Sequence, residues 1–250
     1  MTVPSLPRRR ALMAMGAAVL WPRFAEAERV KFTLATAALP PLTSAPGHEG
    51  FLDLLARDVF GRIGIDARLV VLPGERGLIN ANQGIEDGDM FRTPGFESEY
   101  QNLVRVPEKL MDFDFVAVSL KPEVQVRQWS DLSKYSVAYS TGRKIFERNA
   151  AVAREVTTVR ELRQLYALLA SGRVDVILHD RWQGLWLARG AGLDVRVQEP
   201  ALARLQMFIY LHRRHQARVA PLTAALAEAR RDGSWQRHYA QALQPLESKR

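Results

Sequence analysis

The sequence predicts an α/β protein of two lobes, each a mainly parallel sheet with covering helices, joined by two crossover strands. Three observations lead there. Short apolar runs of strand length alternate with amphipathic runs of helical period, the signature of β-α-β units. Two long extended stretches, 112–120 and 205–212, bracket a second series of such units. A short plan also recurs, once as Gly84-Ile85-Glu86-Asp87-Gly88-Asp89-Met90-Phe91-Arg92 and once as Gly172-Arg173-Val174-Asp175-Val176-Ile177-Leu178-His179-Asp180. Each copy opens on a glycine after a helical pattern, carries Asp at the fourth place and ends on a charge. It reads as a helix stop, a short buried strand and a charge at the strand's C-terminal end, the edge where open α/β sheets bind ligands. One charge is a cation and the other an anion, so two such edges facing each other would hold a small zwitterion.

The elements follow in order. Val30 to Ala37 alternates Val30, Phe32 and Leu34 as a strand, and Leu39-Pro40-Pro41-Leu42 breaks it into a loop. Phe51, Leu55, Val59 and Ile63 share one helical face that Gly64 stops. Ala67 to Leu72 is a buried strand, and Pro73-Gly74-Glu75-Arg76 turns into a short helix ending at Gly84. After Lys121-Pro122 the pattern restarts. Ser136 to Tyr139 is a strand, Ser140-Thr141-Gly142 opens a helix, and Thr158-Val159-Arg160-Glu161 has the spacing of a capping box. The following helix puts Leu162, Leu165 and Leu169 on one face and stops at Gly172. A strand (174–178), a helix (181–189) and a further strand (193–197) come next, and the chain closes with two helices split by Asp232-Gly233. The bracketing stretches then act as paired crossover strands. This makes residues 28–118 with 206–250 one lobe and 119–205 an inserted second lobe.

The N-terminus reads as an address rather than as structure. Arg8-Arg9-Arg10 precedes an apolar run, Ala11 to Trp21, that is too short for a stable membrane anchor, and Ala25-Glu26-Ala27 fits a small-x-small cleavage site. Residues 1–27 are therefore expected to be a signal peptide, with Sec and twin-arginine export both open and a basic disordered tail as the alternative. No later apolar run is long enough for a membrane helix. Without that segment, 35 − 4 = 31 basic and 27 − 1 = 26 acidic residues leave a charge of +5. The excess is dispersed and lacks the basic stripe and module that nucleic-acid binding needs. With no cysteine there is no disulfide, thiolate metal site, thiol nucleophile or lipid-modified cysteine. Dinucleotide, phosphate-loop and nucleophile-elbow fingerprints are absent, so no cofactor is expected. His48-Glu49 lacks a second ligand pair at helical spacing, and His212 and His215 sit among arginines, so no metal site is expected either.

Taken together, the Pro40-Pro41 loop, "GFLDLLARDVFGRIGI", "ANQGIEDGD", "WSDLSKYSVAYSTG", "LLASGRVDVILHD" and the terminal "YLHRRHQARVAPLTAALAEARRDGSWQR" resemble the bacterial extracellular solute-binding proteins of family 3, over nearly the whole chain after the signal. These are the periplasmic receptors of polar amino-acid ABC transporters. The resemblance implies a type II periplasmic-binding fold, a periplasmic location, a small carboxylate-bearing ligand, an inner-membrane ABC permease as partner, and no catalysis. A monomer is expected. It also implies that Arg92 grips a ligand carboxylate, that Asp180 holds its ammonium, and that the Ser140-Thr141-Gly142 turn offers amides to the carboxylate. Two features depart from the family pattern. Leu39 and Leu42 replace the usual stacking aromatic, and the Thr-x-x-Arg run ahead of the arginine is missing.

Each candidate has a plainer reading beside the functional one. Arg92 has a guanidinium fork suited to a carboxylate, or forms an internal pair with Asp87 or Glu97. Asp180 meets an ammonium, caps the following helix, or does both. The Ser140-Thr141-Gly142 amides are unpaired and favour an anion, or the hydroxyls simply cap. Glu75 and Arg76 edge the cleft or begin a solvated helix. Trp182 walls the cleft or belongs to the core. Replacing Arg92 with alanine is expected to weaken binding well over tenfold and leave the fold intact. Two other functional classes remain. One is a periplasmic lyase or dehydratase of the same fold with Glu75 or Glu49 as acid or base, testable with prephenate or arogenate. The other is a sensor subunit without transport.

Overall fold

The computed structural model describes residues 30–247; the signal-peptide reading falls on residues 1–27, outside them. The chain runs β1 (Val30–Thr36), α1 (Phe51–Gly61), β2 (Ile65–Val71), α2 (Gly74–Gln83), β3 (Gly88–Arg92), β4 (Leu103–Arg105) and β5 (Met111–Ser119). It continues β6 (Ser136–Ser140), α3 (Lys144–Asn149), β7 (Glu155–Val159), α4 (Leu162–Ala170), β8 (Val176–Asp180), α5 (Arg181–Gly190) and β9 (Arg196–Val197). It closes with β10 (Ala203–His212), α6 (Gln216–Arg231), α7 (Ser234–Ala242) and the short α8 (Gln244–Glu247).

The strands form one sheet in the order β2-β1-β3-β10-β5-β8-β6-β7, with β4 on β10 and β9 on β5. Its two ends repeat a plan. β1 pairs in parallel with β2 and β3, and β6 pairs in parallel with β7 and β8. The connecting helices bury one face each. In α1 the apolar positions Phe51, Leu52, Leu55, Ala56, Val59 and Phe60 are all buried, as the helical period requires. The long strands β5 and β10 pair antiparallel from Ala203↔Phe115 to Met207↔Met111 and join the two halves. A row of edge-to-face aromatic contacts, Phe91–Phe113 (5.3 Å), Phe113–Phe115 (5.2 Å) and Phe115–Phe146 (5.5 Å), carries the core from one half to the other.

The fourth-place aspartates of the repeated plan are pins between strands. The Asp87 amide donates to the Thr33 carbonyl, and the Thr33 amide donates back to the Asp87 carboxylate at 2.9 Å. The Asp175 amide likewise donates to the Ser136 carbonyl, and the Ser136 amide returns to the Asp175 carboxylate at 2.9 Å. Each carboxylate then gathers further side-chain partners, Arg214 and His215 on Asp87, and Lys121 and Arg154 on Asp175. Burial pushes both carboxyls up, but these hydrogen bonds outweigh it and hold them below the usual carboxylate range.

The structure corrects three sequence expectations here. The capping box at 158–161 does not form, because Thr158 and Val159 are spent in β7, paired with Tyr139 and Ser140, and Glu161 is the N-cap of α4 without a side-chain bond. The strand expected over 193–197 shrinks to Arg196–Val197 against β5. β4 and β7 were not expected at all.

Candidate functional site

Both halves aim the C-terminal ends of their parallel strands at the middle of the molecule. β3 ends at Arg92 opposite Phe208, and β8 ends at Asp180 opposite Phe115, which itself faces Ala203. The ends therefore approach from opposite directions and stop with the stretch of β10 from Ala203 to Phe208 between them, roughly 17 Å at about 3.4 Å per residue. This is the cleft geometry in which open α/β sheets bind ligands.

On the first half, Arg92 Nη2 donates to the Gly74 carbonyl and to Asp89 Oδ2, both at 2.7 Å. The internal partner is thus Asp89, neither Asp87 nor Glu97; Glu97 instead accepts from the Tyr210 hydroxyl at 2.6 Å. Asp89 is fully buried. Burial pushes its carboxyl up further than Arg92 pulls it down. Gly77 makes room for the pair, since a Cβ there would lie 3.1 Å from Arg92 Nη2 and 3.2 Å from Asp89 Oδ2. Arg92 Nε is buried and meets no acceptor among the described residues. Glu75 and Arg76 are exposed at the start of α2.

On the second half, Asp180 caps α5: its Oδ1 accepts from the Gln183 amide at 2.9 Å. Its other oxygen, Oδ2, is buried and receives no hydrogen bond among the described residues, although His179 Nδ1 lies 3.2 Å away, out of alignment, and Arg143 Nη2 lies 3.6 Å away. Burial pushes the Asp180 carboxyl up, but His179, Arg143 and the Gln183 amide together hold it below its ordinary value, so it is an anion at neutral pH. The Gln183 side chain accepts from Arg143 at 3.4 Å and donates to the Ala38 carbonyl of the opposite half at 3.4 Å.

The remaining sequence candidates are placed as follows. Ser140 ends β6 and is buried. The turn amides expected to be unpaired are both used, Thr141 by the Val159 carbonyl at 2.9 Å and Gly142 by the Glu147 carboxylate at 2.9 Å. Trp182 takes the core position: it is buried and edge-on to Tyr239, 5.5 Å between centroids. Its neighbour Trp186 packs on His48 of the first half at 4.7 Å. Glu49 is paired with Arg57. Sequence reading missed Asp89, Arg143 and Gln183. Asp89 stands three residues before Arg92 and Gln183 three after Asp180, and Arg143 directly follows the glycine of the turn.

Arg92 is not a purely ligand-facing residue. Arg92→Ala leaves the Asp89 carboxyl buried and unpaired, so it is expected to lower stability by about 3 kcal/mol. Urea denaturation would read this as a lower midpoint. Adding Asp89→Asn should restore the midpoint; no recovery would mean that Arg92 stabilises the fold by some other contact.

The fold is therefore the two-part α/β fold of type II periplasmic-binding proteins. Solved structures with this fold include the probable amino-acid ABC transporter extracellular-binding protein of Bacillus subtilis, with a TM-score of 0.73 and 15% identity over 86% of this chain and 98% of that one. The unliganded L-cystine solute receptor of Neisseria gonorrhoeae gives a TM-score of 0.68 and 19% identity over 86% and 93%. In sequence the chain is 22% identical over 217 residues to an uncharacterised protein of Shewanella oneidensis, covering 80% of this chain and 78% of that protein. No family model matches the chain.

Proposed function

We propose that this chain is a periplasmic solute-binding protein that captures an amino acid, or a closely similar solute carrying a carboxylate and an amino group, for an inner-membrane ABC permease. The observation that carries the reading is where buried polar atoms lack partners. Among the described residues these are Thr36 Oγ1, Arg92 Nε, His179 Nε2 and Asp180 Oδ2, all in residues at the C-terminal ends of β1, β3 and β8. An unsatisfied buried polar group costs about 1–3 kcal/mol, so such atoms collect where a ligand completes them. Arg92 Nε is a donor that would receive a carboxylate, and Asp180 Oδ2 an acceptor that would receive an ammonium.

In this reading residues 28–118 with 206–250 form one lobe and 119–205 the other, in a monomer. The lobes close about β5 and β10, and the ligand favours the closed state by contacts that the open state lacks. Ser140, Thr141, Gly142, Glu75 and Arg76 border the cleft, and residues 1–27 direct export. The role is capture and release rather than catalysis. The likeness of the fold to amino-acid receptors supports it.

A thermal-shift screen of the chain lacking residues 1–27 against the twenty L-amino acids and small organic acids tests it. A ligand at a hundred times its Kd adds about 2.7 kcal/mol to the folded state. For a chain of this size that is a rise of roughly 5–10 °C. Flat melting curves across both panels would remove the proposal.

A further inference from the structure

We infer that Arg143 is the group on the second half that receives the ligand's carboxylate, where the neighbouring turn amides are already used, and that the ligand belongs to the amino acids of zero net charge. The inference rests on the reading of the site given above. It begins with the amides of Thr141 and Gly142, which donate to the Val159 carbonyl and the Glu147 carboxylate. They reach an anion only by giving up those partners.

Arg143 stands immediately after that turn, and its guanidinium is held loosely. Its contacts are 3.4 Å to Gln183 Oε1 and 3.6 Å to Asp180 Oδ2. The other site arginine, Arg92, holds its partners at 2.7 Å, and a full charge-assisted bond lies near 2.7–2.9 Å. Arg143 is also partly open, 29% exposed, beside an Asp180 that is wholly buried. It therefore combines unused donors with access to the cleft. Gln183, which touches it, also reaches the Ala38 carbonyl of the first half, so Arg143 lies where the halves meet.

Charge then limits the ligand. Arg92 is balanced by Asp89, and Arg143 by Asp180. Glu75 and Arg76, at the start of α2, are exposed and carry opposite formal charges, so they add no net charge. A zwitterion adds an ammonium beside Asp180 and a carboxylate between Arg92 and Arg143, leaving every buried charge paired. A ligand with a further net charge would carry it into the closed cleft without a counterion, which is strongly unfavourable.

Isothermal titration of the twenty L-amino acids into wild type and Arg143→Gln tests both parts. Neutral amino acids should bind wild type more tightly than L-glutamate, L-aspartate, L-arginine or L-lysine. Arg143→Gln should weaken the tightest binder by about tenfold or more. Arg143→Lys, which keeps the charge and loses the fork, should fall between the two. Wild type should also prefer the tightest binder over its α-carboxamide, and Arg143→Gln should narrow that preference, an effect that mere structural support by Arg143 would not produce. An unchanged Kd and unchanged preference in Arg143→Gln, with binding lost in Asp180→Asn, would remove Arg143 and leave the amino-acid reading standing. Equal or tighter binding of a charged amino acid overturns the charge rule alone. No binding of any amino acid to wild type overturns the proposed function together with this inference.

Discussion

Asp180→Asn is expected to weaken amino-acid binding by roughly a hundredfold, about 3 kcal/mol, while the protein melts close to the wild-type temperature. The side chain has two separable duties. Oδ1 caps α5 by accepting from the Gln183 amide at 2.9 Å, and asparagine is as good a cap as aspartate. Oδ2 is the buried acceptor that receives no hydrogen bond among the described residues, with Arg143 Nη2 3.6 Å away. Only the second duty needs the negative charge, so the isosteric amide separates them. Asp180→Ala removes both and should add a stability loss of about 1 kcal/mol, the usual worth of a cap. Titration calorimetry and thermal melting on the two variants read the duties independently. Full affinity in Asp180→Asn would show that the residue is a helix cap and nothing more.

The second large effect is on stability. Asp175→Ala should destabilise the protein by about 3 kcal/mol at neutral pH, a fall in Tm of roughly 6–12 °C. The carboxylate accepts from the Ser136 amide and hydroxyl, both at 2.9 Å, and from Lys121 and Arg154. Its loss strands a buried amide at the start of β6 and unties β6 from β8. The pH dependence has a definite sign. The folded-state carboxyl lies below its unfolded value because the hydrogen bonds outweigh burial. The native carboxylate's contribution is thus complete above the unfolded pKa of about 4 and declines as pH falls through and below that value. The gap between wild type and variant should be widest near neutrality and close in acid. A gap that stays constant from neutral to acidic pH would mean that the charge of Asp175 is not what the fold uses.

Much of the architecture was legible because its signals are local. The face Phe51, Leu55 and Val59 and the stop at Gly84, where φ is +73°, are readable from a few adjacent residues. The same holds for the placement of Arg92 and Asp180 at strand ends. β7 escaped although Val156-Thr157-Thr158-Val159 is a β-branched run. A Thr-x-x-Glu spacing competed for the same residues, and pairing with β6, a contact between distant segments, decided the matter. The site was legible only at its two ends. Nothing near Arg92 in sequence says that its guanidinium folds back on Asp89 rather than Asp87, since the choice depends on Gly74 and Gly77 of α2 coming against the strand end.

Most of the alternating strands and helices, the duplicated half-sheet plan and the opposite charges that close its two copies follow from sequence, because period and punctuation act over a few residues. The tertiary structure alone decided what those charges touch. It turned Asp87 and Asp175 into pins for strands 54 and 39 residues away and brought Gln183 to a carbonyl 145 residues distant. It also filled the turn amides and left one oxygen of Asp180 and one nitrogen of Arg92 unsatisfied. Hydrogen bonds are directional and short, so their partners are settled only once the sheet has brought remote segments within 3 Å of each other.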